Sequence, residues 1–266
     1  MTQAERLLYL IKYLINENSN LKTFNIPIEE TAKKQLLRSL MNIRPPRPIG
    51  TEFLKIQDEY LKEEVREKGI TDSDTLSVSP VNHRLVLWQG DITTLKIDAI
   101  VNAANSGLLG CFHPCHSCID NMIHTYAGVQ LRLACNDIIR AQGQEERVGS
   151  AKITPGFNLP ARYVLHTVGP NITGPLDRKD CRLLAGCYEA CLELAAEHDI
   201  QSIAFCCIST GVFHFPQEKA AEIAVETVSR FLEHDSSLRQ VIFNVFTDTD
   251  RELYRRIVWD GHHPSE

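Results

Sequence analysis

The sequence has no excess of basic residues. Its 28 Lys and Arg stand against 34 Asp and Glu, a net charge of -6, so no cationic field is available to drive nucleic-acid binding through counterion release. No nucleic-acid partner is expected. The opening residues also lack the continuous apolar stretch of a signal peptide or a membrane span, because Glu5, Arg6 and Lys12 interrupt the apolar positions between Met1 and Asn16. The reading is a cytoplasmic protein with no membrane association. There is no internal repeat. No Gly-x-Gly-x-x-Gly follows the first strand pattern, and no glycine-rich loop ends in Lys-Ser or Lys-Thr, which excludes the dinucleotide fingerprint and the nucleoside-triphosphate P-loop. What remains is globular: 43% hydrophobic and 23% charged residues in a chain of 266, enough for one generous domain or a modest domain with an appendage. Nine cysteines is an odd number, and without a secretory signal such thiols are expected reduced, buried, metal-bound or catalytic.

Leu7, Leu10, Ile11, Leu14 and Ile15 recur at helical spacing over residues 2–18, as do Leu36, Leu37, Leu40 and Met41 over 28–42. Pro45, Pro46 and Pro48 break the pattern, and Phe53, Ile56, Tyr60 and Val65 predict a third helix running toward Lys68. Residues 1–70 are therefore read as an N-terminal helical extension that caps the body, docks a partner or acts as a lid, a stabilising cap being the plainest of the three. Gly69 to Asn82 reads as a linker. From residue 80 to 266 the texture is α/β, with β-branched runs at 84–88, 98–101, 148–154, 163–168, 202–208 and 240–246 and helical patterns at 119–142, 179–197, 217–234 and 250–258. Ile203, Phe205, Ile208, Val241, Phe243 and Val245 come from runs apolar enough to be buried on both faces, as in the centre of a parallel sheet covered by helices.

Open α/β sheets bind ligands beyond the carboxyl ends of their strands, so the residues after each strand carry the functional reading. Gly90-Asp91-Ile92-Thr93 sets a carboxylate beside free amides, suited either to an exocyclic amine of a base or to an ordinary capped turn. Asn102-Ala103-Ala104-Asn105 combines small residues with two side-chain amides. The run Ser209-Thr210-Gly211-Val212-Phe213-His214-Phe215-Pro216 leads into a helix; Gly211 is expected to free the backbone, so that successive amides hold a diphosphate without lysine or arginine.

Taken in order, Gly-Asp-Ile-Thr, Val-Asn-Ala-Ala-Asn, the stretch from Pro160 through His166 to Pro170 and the 209–216 loop resemble the macrodomain family over nearly all of residues 80–259. The resemblance implies a mixed, mostly parallel six-stranded sheet covered by helices. It also implies that Asp91 holds an adenine amino group, Ile92 presents its amide, Asn105 meets the distal ribose and residues 209–214 cradle the diphosphate of ADP-ribose. Phe246, at the end of the last strand, would stack on adenine or pack in the core.

Where most macrodomains follow the asparagines with glycines, this chain reads Gly110-Cys111-Phe112-His113-Pro114-Cys115-His116-Ser117-Cys118. Thiols and imidazoles at this density suit a borderline-soft ion such as zinc; a disulfide between Cys111 and Cys118 is the competing reading. The loop resembles that of the zinc-containing macrodomain subgroup, which implies Zn2+ held by Cys111, His116 and Cys118, with His113 and Cys115 as competing donors. Three protein ligands leave one position open, as in catalytic zinc sites. Cys187, Cys191, Cys206, Cys207 and Cys135 read as core packing, and Cys181 stands isolated.

Cys118-Ile119-Asp120-Asn121-Met122-Ile123-His124 resembles the segment opening the first helix of hydrolytic macrodomains, with Asn121 in place of the usual glycine. That resemblance puts Asp120 on the proposed catalytic aspartate, although a start-of-helix position also suits an N-cap. The function implied is zinc-dependent removal of mono-ADP-ribose from protein Asp or Glu side chains. The alternative is a non-catalytic ADP-ribose reader with a structural zinc. The subgroup is linked to sirtuin-like ADP-ribosyltransferases and to lipoyl-carrier proteins as modified substrates, which makes such a carrier an expected partner.

Overall fold

A computed structural model describes residues 1–18 and 25–261; residues 19–24 and 262–266, which fall within the expected extension and body, lie outside the described residues. Three helices open the chain, α1 (Gln3–Glu17), α2 (Glu30–Ile43) and α3 (Thr51–Lys68). A capping box starts α1: the Thr2 hydroxyl accepts from the Glu5 amide while the Glu5 carboxylate accepts from the Thr2 amide. Leu7, Leu10, Ile11 and Leu14 of α1, Leu37, Leu40 and Met41 of α2, and Phe53, Ile56, Tyr60 and Leu61 of α3 close a small core of their own, joined by Val129 from the body. Burying each such Leu or Phe contributes about 2–3 kcal/mol, so mutual burial, more than helix propensity, holds the three together. At the proline break, buried Arg44 binds both Glu17 oxygens at 2.7 and 2.9 Å and donates to the carbonyls of Arg47 and Pro48 at 2.9 and 3.2 Å.

The segment expected as a linker is ordered in places. It holds β1 (Thr71–Asp72), which pairs with β3 (Leu95–Lys96), a 3-10 turn at Ser73–Thr75 and a bridge from Val78 to Val86. Two-residue pairings carry no periodic signal, which is why the sequence pattern did not reveal them.

The main sheet contains β2 (Leu85–Gln89), β4 (Ala99–Ala104), β5 (Ala151–Pro155), β6 (Tyr163–Val168), β7 (Ser202–Phe205) and β8 (Gln240–Val245) in the order β2-β8-β7-β4-β6-β5. All neighbours run parallel except β5, which is antiparallel to β6. This is the expected mixed, mostly parallel α/β sheet. Its covering helices are α4 (Ile119–Ala127), α5 (Val129–Gln142), α6 (Arg178–Glu197), α7 (Gln217–His234) and α8 (Asp248–Val258). The single helix expected over 119–142 is two helices. Gly128 separates them with φ +94°, and a Cβ there would lie 2.6 Å from Gln57 Nε2 and 2.7 Å from Gln130 Oε1, so both conformation and space require glycine. In the space so left, the Gln57 side chain of α3 accepts from the Val129 amide at 3.0 Å and caps α5 from outside. Among the described residues no helix is long and apolar enough to cross a membrane.

Candidate active site

Because β2, β4, β6, β7 and β8 are parallel, their carboxyl ends emerge on one edge, where their following segments converge. Gly90, Asp91 and Ile92 after β2, Gly169 after β6, Cys206, Cys207 and Ser209 to His214 after β7 and Phe246 after β8 line one cleft of about 720 Å3, together with Cys115 to Ile119 and Arg38 of α2. That volume falls in the range of small-molecule sites, ~300–1,000 Å3. Eleven positions singled out from sequence therefore share one cavity: Asp91, Ile92, Ser209, Thr210, Gly211, Val212, Phe213, His214, Phe246, His116 and Cys118. Cys111, Asn105 and Asp120 do not line it.

Asp91 caps a 3-10 turn: one carboxylate oxygen accepts from the Thr93 amide and hydroxyl at 3.0 and 2.6 Å, the other from Lys68 Nζ at 2.8 Å. Burial works against ionisation, but the Lys68 and Thr93 bonds outweigh it and hold the carboxyl below its ordinary range. Lys68 is the last residue of α3, and its ammonium also lies 3.5 Å from the centroid of the Tyr126 ring. Beside it the Ile92 amide makes no hydrogen bond among the described residues. Phe246 lies just past β8 and is 78% exposed, so it is a rim residue rather than a core one.

In the 209–214 loop the backbone differs from the sequence reading. Positive φ falls on Ser209 (+65°) and His214 (+57°), whereas a Cβ on Gly211 would meet no atom within 4 Å. The glycine that makes the loop possible is Gly169 just past β6, where a Cβ would lie 2.0 Å from Ser209 Oγ. Among the described residues the amides of 209–213 donate no hydrogen bond within the protein, leaving a concave row of donors ahead of α7. Cys206 and Cys207 pack with the core as expected, but they lie past the end of β7 at Phe205 and also line the cleft.

Behind the cleft lies a buried polar network. Asn102 Nδ2 donates to Asp120 Oδ1 at 2.9 Å and approaches His166 Nδ1 at 3.1 Å; Asn105 Nδ2 donates to Asp120 Oδ2 at 3.3 Å and to the Gly110 carbonyl at 3.1 Å. Asp120 is 5% exposed, and burial pushes its carboxyl up to about 6, against the Asn102 bond and the Arg132 charge. It does not cap its helix. Cys118 occupies the N-cap position of α4, and no side chain bonds the first-turn amides there. His124 lies one turn on, buried and with its pKa well below the ordinary histidine value through desolvation, so it stays neutral beside Asp120.

The ligand atoms of Cys111, His116 and Cys118 all lie within 4.8 Å of one another. Tetrahedral zinc with thiolate and imidazole ligands spaces its donor atoms by roughly 3.5–3.8 Å, so a small contraction suffices. His116 Nδ1 is buried and has no hydrogen-bond partner among the described residues, an orphaned donor or acceptor of the kind a metal would satisfy. Burial, with help from Cys111 and Asp120, pushes the Cys118 thiol up to about 12, and a divalent cation is the group that would reverse this. The donor set therefore fits zinc. Cys115 is not part of it: its Sγ lies 3.1 Å from Ser39 Oγ of α2, and His113 is likewise outside the cluster. A second buried group, His124, Cys135 and His166, has comparable spacing, but both His166 nitrogens are engaged, Nδ1 by Asn102 and Nε2 by Thr154 Oγ1 at 2.9 Å.

Sequence reasoning missed Arg38, Lys68 and Asn244, whose Nδ2 donates to the Gly90 carbonyl at 3.0 Å. Arg38 and Lys68 reach the site from the extension across 83 and 23 residues, a separation that leaves no local signal.

The Macro domain family model matches residues 101–224. A protein-ADP-ribose hydrolase of Treponema medium is 57% identical over 97% of this chain and 100% of its own length. A protein-ADP-ribose hydrolase of Staphylococcus aureus is 51% identical over 94% of each chain. Among solved structures, the Trypanosoma brucei macrodomain in complex with ADP-ribose superposes with a TM-score of 0.63 at 30% identity, covering 83% of this chain and 94% of that one.

Proposed function

The chain belongs to the macrodomain family, and from that membership we propose that it is a zinc-dependent protein-ADP-ribose hydrolase that removes mono-ADP-ribose from Asp or Glu side chains. The observation that carries the reading is that one nucleotide-sized cleft is lined both by His116 and Cys118 of a three-donor Cys/His cluster and by a loop with a row of unbonded amides. Relatives covering 97% and 94% of this chain are named protein-ADP-ribose hydrolases, which supports hydrolysis as the reaction class.

In this reading Phe246 stacks on adenine and Asp91 accepts from its amino group beside the Ile92 amide. The amides of 209–213 hold the diphosphate. Binding energy from these parts orients the distal ribose at the reacting centre. Asp120, which accepts from the amide of Asn105, fixes how that side chain meets the ribose. Cys111, His116 and Cys118 would hold Zn2+, which would supply Lewis acidity. The substrate is a mono-ADP-ribosylated protein; a lipoyl-carrier protein modified by a sirtuin-like transferase is the proposed target, and the cytoplasm the proposed location.

The test combines elemental analysis of the purified chain with an ADP-ribose release assay on a carboxylate-modified protein. Stoichiometric zinc and release that disappears in Cys118→Ala, with ADP-ribose binding kept, are expected. Binding without release would assign the chain as a reader.

A further inference from the structure

Four residues on one face of α2 reach the Cys/His loop, three through side chains and Gln35 through its carbonyl. Gln35, Arg38, Ser39 and Asn42 are spaced i, i+3, i+4 and i+7, the spacing that aligns side chains along a single stripe. Cys115 is the loop's point of attachment. Its amide donates to Asn42 Oδ1 at 2.9 Å, and its Sγ lies 3.1 Å from Ser39 Oγ and donates to the Gln35 carbonyl at 3.4 Å. These contacts turn that thiol toward α2 while Cys111, His116 and Cys118 keep company with one another.

Arg38 does more than fasten the loop. Its Nε and Nη2 both donate to Asn121 Oδ1, at 3.2 and 2.8 Å, and Nη2 also donates to the His116 carbonyl at 2.5 Å. Asn121, fully buried, passes the hold onward: its Nδ2 donates to the Cys111 carbonyl at 3.3 Å and the His113 carbonyl at 3.0 Å. One guanidinium and one amide thus fix the backbone at two of the three metal-type donors. The third, Cys118, stands at the start of the helix that carries Asn121. Glycine at 121 would have no side chain with which to form this bracket, so the asparagine there and the arginine on α2 make sense together.

We propose that Arg38 is a positioning residue for a divalent ion such as zinc, acting through Asn121 to preorganise Cys111, His116 and Cys118; the inference rests on the reading of that cluster as a metal site. A loop held in its ligating geometry before the ion arrives loses less freedom on binding, which raises affinity. Outer-shell hydrogen bonds of this kind typically change metal affinity by ~10–100-fold.

The experiment uses the full chain as wild type, Arg38→Ala, Arg38→Lys, Asn121→Gly and the Arg38→Ala/Asn121→Gly double variant. Zn2+ affinity is measured by competition with a chromogenic chelator, and folding is checked by melting the zinc-stripped proteins. Each single removal is expected to weaken Zn2+ by about 10–100-fold. The double variant should lose no more than the worse single, because the two residues act as one unit. Arg38→Lys should recover only part of the loss, since an ammonium lacks the planar fork. Unaltered Zn2+ affinity in Arg38→Ala, or fully additive losses in the double variant, would overturn the inference and leave the metal site standing. Should Arg38→Ala not fold, Asn121→Gly removes the bracket from the other side, and unaltered affinity there has the same consequence. A wild-type chain that binds no zinc overturns the metal site and this inference together.

Discussion

Acidification should destabilise this protein through His166, by an amount that the structure allows to be worked out. The imidazole is fully buried, and burial lowers its pKa from 6.5 to about 3. It faces Asn102 on β4, Thr154 on β5, Cys135 on α5 at 3.7 Å and, across 6.1 Å between ring centroids, His124 on α4. The folded-state value lies below the unfolded one, so the unfolded chain takes up the proton first. Stability is therefore complete above about 6.5, falls as pH drops through that value and stops falling near 3. At pH 5 the unfolded histidine is almost fully protonated and the folded one almost not at all, which costs about 2 kcal/mol relative to pH 8. His124 shifts in the same direction, whereas Asp120, raised to about 6, acts oppositely, gaining stability as pH falls from 6 toward its ordinary value. A comparison of wild type with His166→Gln cancels both. Gln can still accept from Asn102 and donate to Thr154, so the variant is expected to fold. Urea unfolding of the two zinc-stripped proteins at pH 8 and pH 5 should show wild type losing about 2 kcal/mol more than the variant over that interval. Parallel profiles would mean that His166 takes up its proton in the fold as readily as in the unfolded chain, and the argument from burial would be refuted.

Gly169→Ala would drive a methyl group to 2.0 Å from Ser209 Oγ and 2.9 Å from Ile208 Cγ2, so the loop must shift. Overpacking of this kind costs about 1–3 kcal/mol, and ADP-ribose affinity measured by calorimetry should fall at least roughly tenfold; retained affinity would remove the 209–214 loop from the diphosphate site. Phe246→Ala, at an exposed rim position, should leave the melting free energy within about 0.5 kcal/mol. The same change should weaken ADP-ribose by ~5–150-fold, the equivalent of losing ~1–3 kcal/mol of base stacking. Equal affinity would place the adenine elsewhere.

The sequence showed the body of this fold well because its signals are periodic. Runs such as Ile203 to Phe205 and Val241 to Phe243 are apolar on both faces, and Gln217–His234 is a helix with the bounds that its pattern predicts. Boundaries failed where a tertiary contact decides them. Gly128 divides a continuous helical pattern because Gln57 and Asn158, 71 and 30 positions away, crowd its α-carbon. In the cleft the same distinction holds. Residues on one contiguous loop, such as Ser209 to His214, could be read as a unit, although the burden of backbone conformation fell on Ser209 and not on Gly211. Asn102 and His166 were visible only as motif letters; that they meet across β4 and β6 follows from strand register, which pairs them directly. Arg38 and Lys68 lie on helices whose apolar faces announce a cap, and nothing in that pattern distinguishes a cap from a contributor to the site.

Lys68 bonds Asp91 where the nucleobase is expected, and Arg38 braces the metal-type loop. Helices α2 and α3, which carry them, both pack against α1. The extension therefore works as a caliper whose gauge block is α1. A substitution at Leu10, remote from every ligand contact, would be felt as a change of span between the two jaws, and removing the first helix would detune both ends at once.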